Sequence, residues 1–128
     1  MVRKILIVDD DERICEVIRA CLEDLAGWLT LTAQSSTEGL SQAKIEQPDA
    51  ILLDVSMPDI SGLEFLAALK AEASISYIPV ILLTAKGTPS DRNRFSQLDV
   101  AGVIYKPFNP VDLSRQVGQI LRWPEGRC

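Results

Sequence analysis

Short apolar runs recur along this chain, and most of them stop on a polar residue. The first covers residues 3–8, with Ile5, Leu6, Ile7 and Val8 unbroken, and Asp9, Asp10, Asp11 and Glu12 follow at once. A run of this length without alternation predicts a strand covered on both faces. Residues 28–33 make a second strand, in which LTLT alternates in part. Residues 50–53 make a third, again fully apolar, ending at Asp54. Residues 79–83 make a fourth, ending at Thr84, and residues 103–105 a short fifth, ending at Lys106.

Between these runs the apolar residues fall three and four apart, the spacing of one helix face. Ile14, Val17, Ile18, Cys21, Leu22 and Leu25 mark a first helix, closed by Gly27. A weaker second helix over 37–46 has Leu40 and Ala43 on one side and is broken by Pro48. A third over 62–72 buries Phe65, Leu66 and Leu69. The fourth, over 88–98, opens like a capping box: Thr88 as cap, Pro89 in the first helical position, Asp91 three residues after the cap. Asn109 caps the last, in which Pro110 leads into Leu113, Val117, Ile120 and Leu121. Five strands alternating with five helices predict an α/β fold. Its sheet is doubly wound, five-stranded and parallel, of flavodoxin-like order 2-1-3-4-5.

Composition bounds what such a fold is for. The 128 residues suit one domain over 1–122 with a short C-terminal tail over 123–128. A net charge of −5 argues against direct nucleic-acid binding. No stretch approaches the roughly 20 apolar residues of a membrane span, and no signal-peptide pattern is present. Of the three cysteines, Cys15 and Cys21 share the first helix, about 9 Å apart along its axis and on different faces, too far to bridge. The chain has no histidine, which rules out a Ser-His or Cys-His pair and argues against zinc. The compartment expected is the reducing cytoplasm.

The candidate chemistry lies at the strand ends. In doubly wound sheets ligands bind beyond the C-terminal ends of the strands. There this chain carries Asp9 and Asp10, then Asp54, Thr84 and Lys106. Strands one and three are neighbours in the expected order, so Asp10 and Asp54 converge. Two carboxylates about 5 Å apart repel by roughly 3 kcal/mol at an effective dielectric of 20. Lys106 offsets part of this, and a hard divalent cation such as Mg2+ would offset the rest. Asp11 and Glu12 instead suit the positive end of the first helix. Metal, lysine and threonine hydroxyl describe a phosphoryl-binding site, with Asp54 as the available nucleophile.

Each residue alone has a plainer reading: a helix-start acid, a turn aspartate, a strand-end hydroxyl, a solvated lysine. Their joint arrival at one end of one sheet is what favours a site. A flavin-phosphate binder would need a Ser/Thr/Gly-rich loop after strand one, where this chain is acidic. An aspartyl-phosphate phosphatase would want a second acid two residues after the nucleophile, where Ser56 stands. A scaffold of the same fold that is never phosphorylated is a third alternative.

IVDDDE, LLDVSMPDISG, ILLTAKG and AGVIYKPFNP, in this order and spacing, resemble the receiver domain of two-component response regulators, the CheY-like family. The resemblance runs over residues 3–122. It implies that Asp54 accepts a phosphoryl group from the phosphohistidine of a sensor histidine kinase or a phosphotransfer protein. Asp9 and Asp10 would hold Mg2+, with Asp10 and Asp54 as direct ligands and the Ser56 backbone carbonyl as a third. Thr84 and Lys106 would bind the phosphoryl group, and the Lys106–Pro107 peptide would be cis. Such a protein is a phosphoacceptor switch rather than an enzyme, although it assists its own phosphorylation and dephosphorylation. Within 128 residues the expectation is a stand-alone regulator acting through an unidentified downstream protein.

One departure from the family pattern stands out. Three residues before the strand-five lysine the family usually has an aromatic that swings inward on phosphorylation, and this chain has Val103. Tyr105 lies two residues on, on the same strand face and about 6.6 Å away. Val103 and Tyr105 are therefore the candidate output surface, with Tyr105 either exposed for a partner or packed against the fourth helix. The polar SDRNRFSQLD suits a mobile fourth helix.

Overall fold

A computed structural model describes residues 3–55, 62–85, 89–106 and 108–123 of the chain. The elements run β1 (Lys4–Val8), α1 (Glu12–Ala26), β2 (Leu29–Ala33), α2 (Ser36–Glu46), β3 (Ala50–Asp54), α3 (Gly62–Ala71), β4 (Val80–Thr84), α4 (Pro89–Ser96), β5 (Gly102–Tyr105) and α5 (Pro110–Leu121). All five strands are parallel, in the order β2-β1-β3-β4-β5, as the alternating pattern predicts.

Alternation along each strand divides the core in two. Leu6, Val8, Ile51, Leu53, Val80 and Leu82 face one way, against Ala43 of α2, Phe65, Leu66 and Leu69 of α3, and Phe95 of α4. Ile5, Ile7, Ala50, Leu52, Ile81, Leu83 and Ile104 face the other way, against Cys15, Ile18 and Leu22 of α1 and Leu113 and Val117 of α5. Because both faces are covered, β1, β3 and β4 read as apolar runs, whereas the edge strand β2, LTLTA, is only partly buried and alternates.

Backbone chemistry accounts for the element ends. Gly27 sits at φ 73°, a left-handed position that costs glycine nothing. The N–H groups of Gly27 and Trp28 go to the Glu23 and Leu22 carbonyls, so β2 begins one residue later than the apolar run suggests. Asn109 caps α5 through its side chain, which accepts from the Val111 N–H at 3.0 Å. Gly102 lets α5 lie close on β5, since a Cβ there would stand 2.7 Å from Ile120 Cγ2.

α4 is shorter than the predicted 88–98. Its chain leaves the helix at Ser96, and the N–H of Leu98 bonds back to Phe95 while half-buried Leu98 and Val100 tuck under the sheet edge. The predicted Thr88 cap, together with Met57, Pro58 and Cys128, lies outside the described residues. Trp123, the first residue of the short C-terminal tail, packs half-buried on the body. Its ring meets buried Trp28 edge-on, centroids 5.2 Å apart.

Candidate functional site

The site is assembled at the C-terminal ends of β1, β3, β4 and β5. Asp9 follows β1, and its N–H still donates to the Ala33 carbonyl of β2 at 3.0 Å. Asp9 Oδ1 accepts the Asp11 N–H at 2.9 Å, and its carbonyl accepts the Cys15 thiol at 3.4 Å. Asp11 in turn caps α1, accepting from the Arg13 N–H. Thus the DDDE run separates into roles. Asp9 turns inward and is fully buried, Asp10 is exposed, Asp11 caps, and Glu12 opens the helix.

Asp54 is the last residue of β3 and is 4% exposed. Lys106 follows β5, and its N–H donates to the Thr84 carbonyl at 2.8 Å, which carries the β4–β5 ladder one step past the strand. Its Nζ stands 3.6 Å from Asp54 Oδ2 and 3.8 Å from Asp9 Oδ2. One ammonium is therefore shared between two buried carboxylates. Carboxylate oxygens of Asp9, Asp10 and Asp54 all lie within 4.8 Å of one another. Thr84, fully buried, ends β4 beside Tyr105 in the sheet register.

The electrostatics follow from this crowding. Burial pushes the Asp9 carboxyl up to about 6, and the charge of Asp54 pushes the same way. The Asp11 N–H and Lys106 oppose the shift without cancelling it. The Cys15 thiol is pushed up to about 12, by burial first and then by the acids around it. It stays protonated and offers no thiolate to a soft metal.

The residues present fit a hard divalent cation. The donor set is all oxygen. Asp9 Oδ2 is buried without a hydrogen-bond partner among the described residues, its only charge partner there being Lys106. A buried carboxylate oxygen left in that condition is costly unless something cationic completes it.

Asp9, Asp10, Asp54, Thr84 and Lys106 are thus brought to one sheet end. Ser56, Pro107 and the Lys106–Pro107 peptide lie outside the described residues. Val103 and Tyr105 do share a face, both half-buried against the cluster that includes Leu82 and Phe95. Tyr105 is not openly displayed, because the Arg92 guanidinium lies over its ring, 4.1 Å from the centroid. The Cys15 and Arg92 contacts are absent from the motif reading. A polar residue on the inward side of an apolar helix face was the available signal for Cys15, and for Arg92 the only pointer was the alternative in which Tyr105 packs against the fourth helix.

Residues 5–118 match the model of the response regulator receiver domain. The chain belongs to that family. Among curated relatives, this receiver domain is 37% identical over 122 residues to the phosphate regulon transcriptional regulatory protein PhoB of Klebsiella pneumoniae, covering 95% of this chain and 53% of that protein. It is 35% identical over 125 residues to the alkaline phosphatase synthesis transcriptional regulatory protein PhoP of Bacillus subtilis, covering 98% and 51%. The chain spans about half the length of the curated relatives it matches. Among solved structures, the chemotaxis response regulator CheY4 of Vibrio cholerae superimposes with a TM-score of 0.85 at 30% identity, covering 94% of this chain and 99% of that one. A CheY-like receiver domain protein of Methanospirillum hungatei gives 0.83 at 27% identity, covering 95% of each. The receiver domain fold and its two-component context are therefore shared with these proteins. Among the described residues, no helix is long and apolar enough to cross a membrane.

Proposed function

We propose that this receiver domain is a phosphoacceptor switch, taking a phosphoryl group onto Asp54 from the phosphohistidine of a sensor kinase or phosphotransfer protein. The observation that carries this reading is the sharing of Lys106 between buried Asp9 and Asp54, with Asp10 in reach. A structural ion pair needs one acid per base; this sheet end holds three clustered acids and one lysine that reaches two of them.

In this reading a carboxylate oxygen of Asp54 attacks phosphorus in line as the phosphorus–nitrogen bond breaks, and the imidazole leaves with that electron pair. Lys106 turns from the two carboxylates toward a phosphoryl oxygen, and the Thr84 hydroxyl donates to another. Asp9, Asp10 and Asp54 would hold Mg2+, with the Ser56 carbonyl as a further oxygen. When bound, the ion would neutralise the charge that gathers on the phosphoryl oxygens. The chain assists transfer onto itself and hydrolysis of the acyl phosphate, and it turns over no separate substrate. Output passes by protein–protein contact through the surface around α4, β5 and α5 that carries Val103 and Tyr105. The cytoplasm is the compartment this reading favours.

The test is intact mass after incubation with acetyl phosphate, with and without Mg2+. One added phosphoryl group per chain, only with the metal, supports the reading. No label under either condition would leave a receiver fold serving as an unphosphorylated scaffold.

A further inference from the structure

Little apolar surface holds α4 to the body. Of its described side chains only Phe95 is buried, while Pro89, Ser90, Arg92, Asn93 and Ser96 are exposed. One turn before Phe95, on the same side of the helix, Arg92 supplies a second hold by laying its guanidinium over the Tyr105 ring. Tyr105 is the last residue of β5 and is in register with Thr84. The next N–H along, that of Lys106, bonds to the Thr84 carbonyl. The ring that Arg92 covers is thereby part of the backbone segment that carries Thr84 and Lys106.

We infer that the Arg92–Tyr105 stack is the coupling contact through which a displacement of the β4 and β5 ends reaches α4. The inference rests on the phosphoacceptor reading for what drives the displacement. Phe95 acts as the pivot, because it is buried and cannot leave its pocket cheaply. Arg92 is the arm, because a planar cation on an aromatic face can slide without losing the whole attraction. Val103 lies one step inward on the same strand face, packed against the cluster that holds Phe95, and its short branched side chain offers no ring face for a guanidinium.

Hydrogen exchange across residues 89–96 of the full chain tests the contact. Arg92→Ala and Tyr105→Leu should each raise exchange there about 2- to 5-fold, the effect of losing one exposed cation–π pair. The double variant should rise no further than either single one, and Tyr105→Phe, which keeps the ring, should match wild type. Addition of acetyl phosphate and Mg2+ should then change α4 exchange in wild type. Arg92→Ala and Tyr105→Leu should take up label normally and lose at least half of that change. Strictly additive single effects, or a full α4 response in both labelled variants, would overturn the coupling role. Absence of label in wild type would overturn the phosphoacceptor reading and the signalling role with it, while the unlabelled exchange still judges the contact by itself. Arg92 is exposed, so Arg92→Ala leaves the β5 packing in place, and the double variant separates the stack from any other contact of Arg92.

Discussion

The two ends of the sheet carry charge in opposite ways. At the N-terminal end Arg3, Lys4, Glu46 and Asp49, among the described residues, each have a partner nearby. The Lys4 N–H donates to Asp49 Oδ2 at 2.8 Å, its ammonium meets Glu46 at 3.4 Å, and Arg3 lies over the Trp123 ring at 4.6 Å. At the C-terminal end three carboxylates crowd within 4.8 Å, and one lysine serves the two buried ones. The same five strands run between the two ends. Balanced charge at one end closes the fold, whereas the imbalance at the other gathers a group of acids that could hold a cation. A surplus of buried charge is thus a better marker of function than the presence of charge.

The sharpest break between the ends is chemical. Asp54→Asn should abolish labelling by acetyl phosphate and leave the melting temperature close to wild type or higher, read by intact mass and circular dichroism. Labelling of the variant equal to wild type would remove Asp54 as the acceptor. At the opposite end the expected effect is on stability alone. Trp28→Ala should cost about 3–5 kcal/mol in denaturant unfolding, the usual range for a large buried aromatic, without changing metal affinity in the folded protein.

Asp9 gives a smaller effect with a definite sign. Its carboxyl is raised in the folded state, so the fold binds this proton more tightly than the unfolded chain does. The stability this contributes is fully present below about 4, and it is lost as pH rises through about 6. Asp9→Asn, which can still accept the Asp11 N–H, should be more stable than wild type at pH 8 without metal, by on the order of 1–3 kcal/mol. The gain should vanish near pH 4 in paired thermal melts. For wild type, Mg2+ affinity should climb with pH up to about 6 and then level, since the ligand must be ionised. Titration calorimetry giving a flat profile over that range would separate Asp9 from the metal.

The smallest effect belongs to the balanced end. Glu46→Gln should lower stability by less than about 1 kcal/mol, as expected of a partly exposed ion pair, and by less still in high salt.

Much of this was legible in the chain before any coordinates. Strands buried on both faces must be continuously apolar, which is why Ile5–Val8, Ala50–Leu53 and Val80–Leu83 announce themselves. Gly27 and Asn109 mark helix ends because φ above zero and an unpaired helix N–H each demand particular residue types. The five site residues were legible as strand-end punctuation once the order of the sheet was accepted. The end of α4 was less legible, because few apolar anchors constrain it and Leu98 packs from the turn beyond the helix.

What the sequence by itself determined is the set of elements, their parallel order and the arrival of Asp9, Asp10, Asp54, Thr84 and Lys106 at one edge. These follow from local periodicity and from the few connections a right-handed α/β chain can make. Only the tertiary structure decided that Asp9 rather than Asp10 is the buried acid, that Lys106 divides itself between Asp9 and Asp54, and that Arg92 covers Tyr105. Those outcomes depend on where separate segments come to rest against one another. Burial and distance set the strength of a charge, and neither is written in the order of residues along the chain.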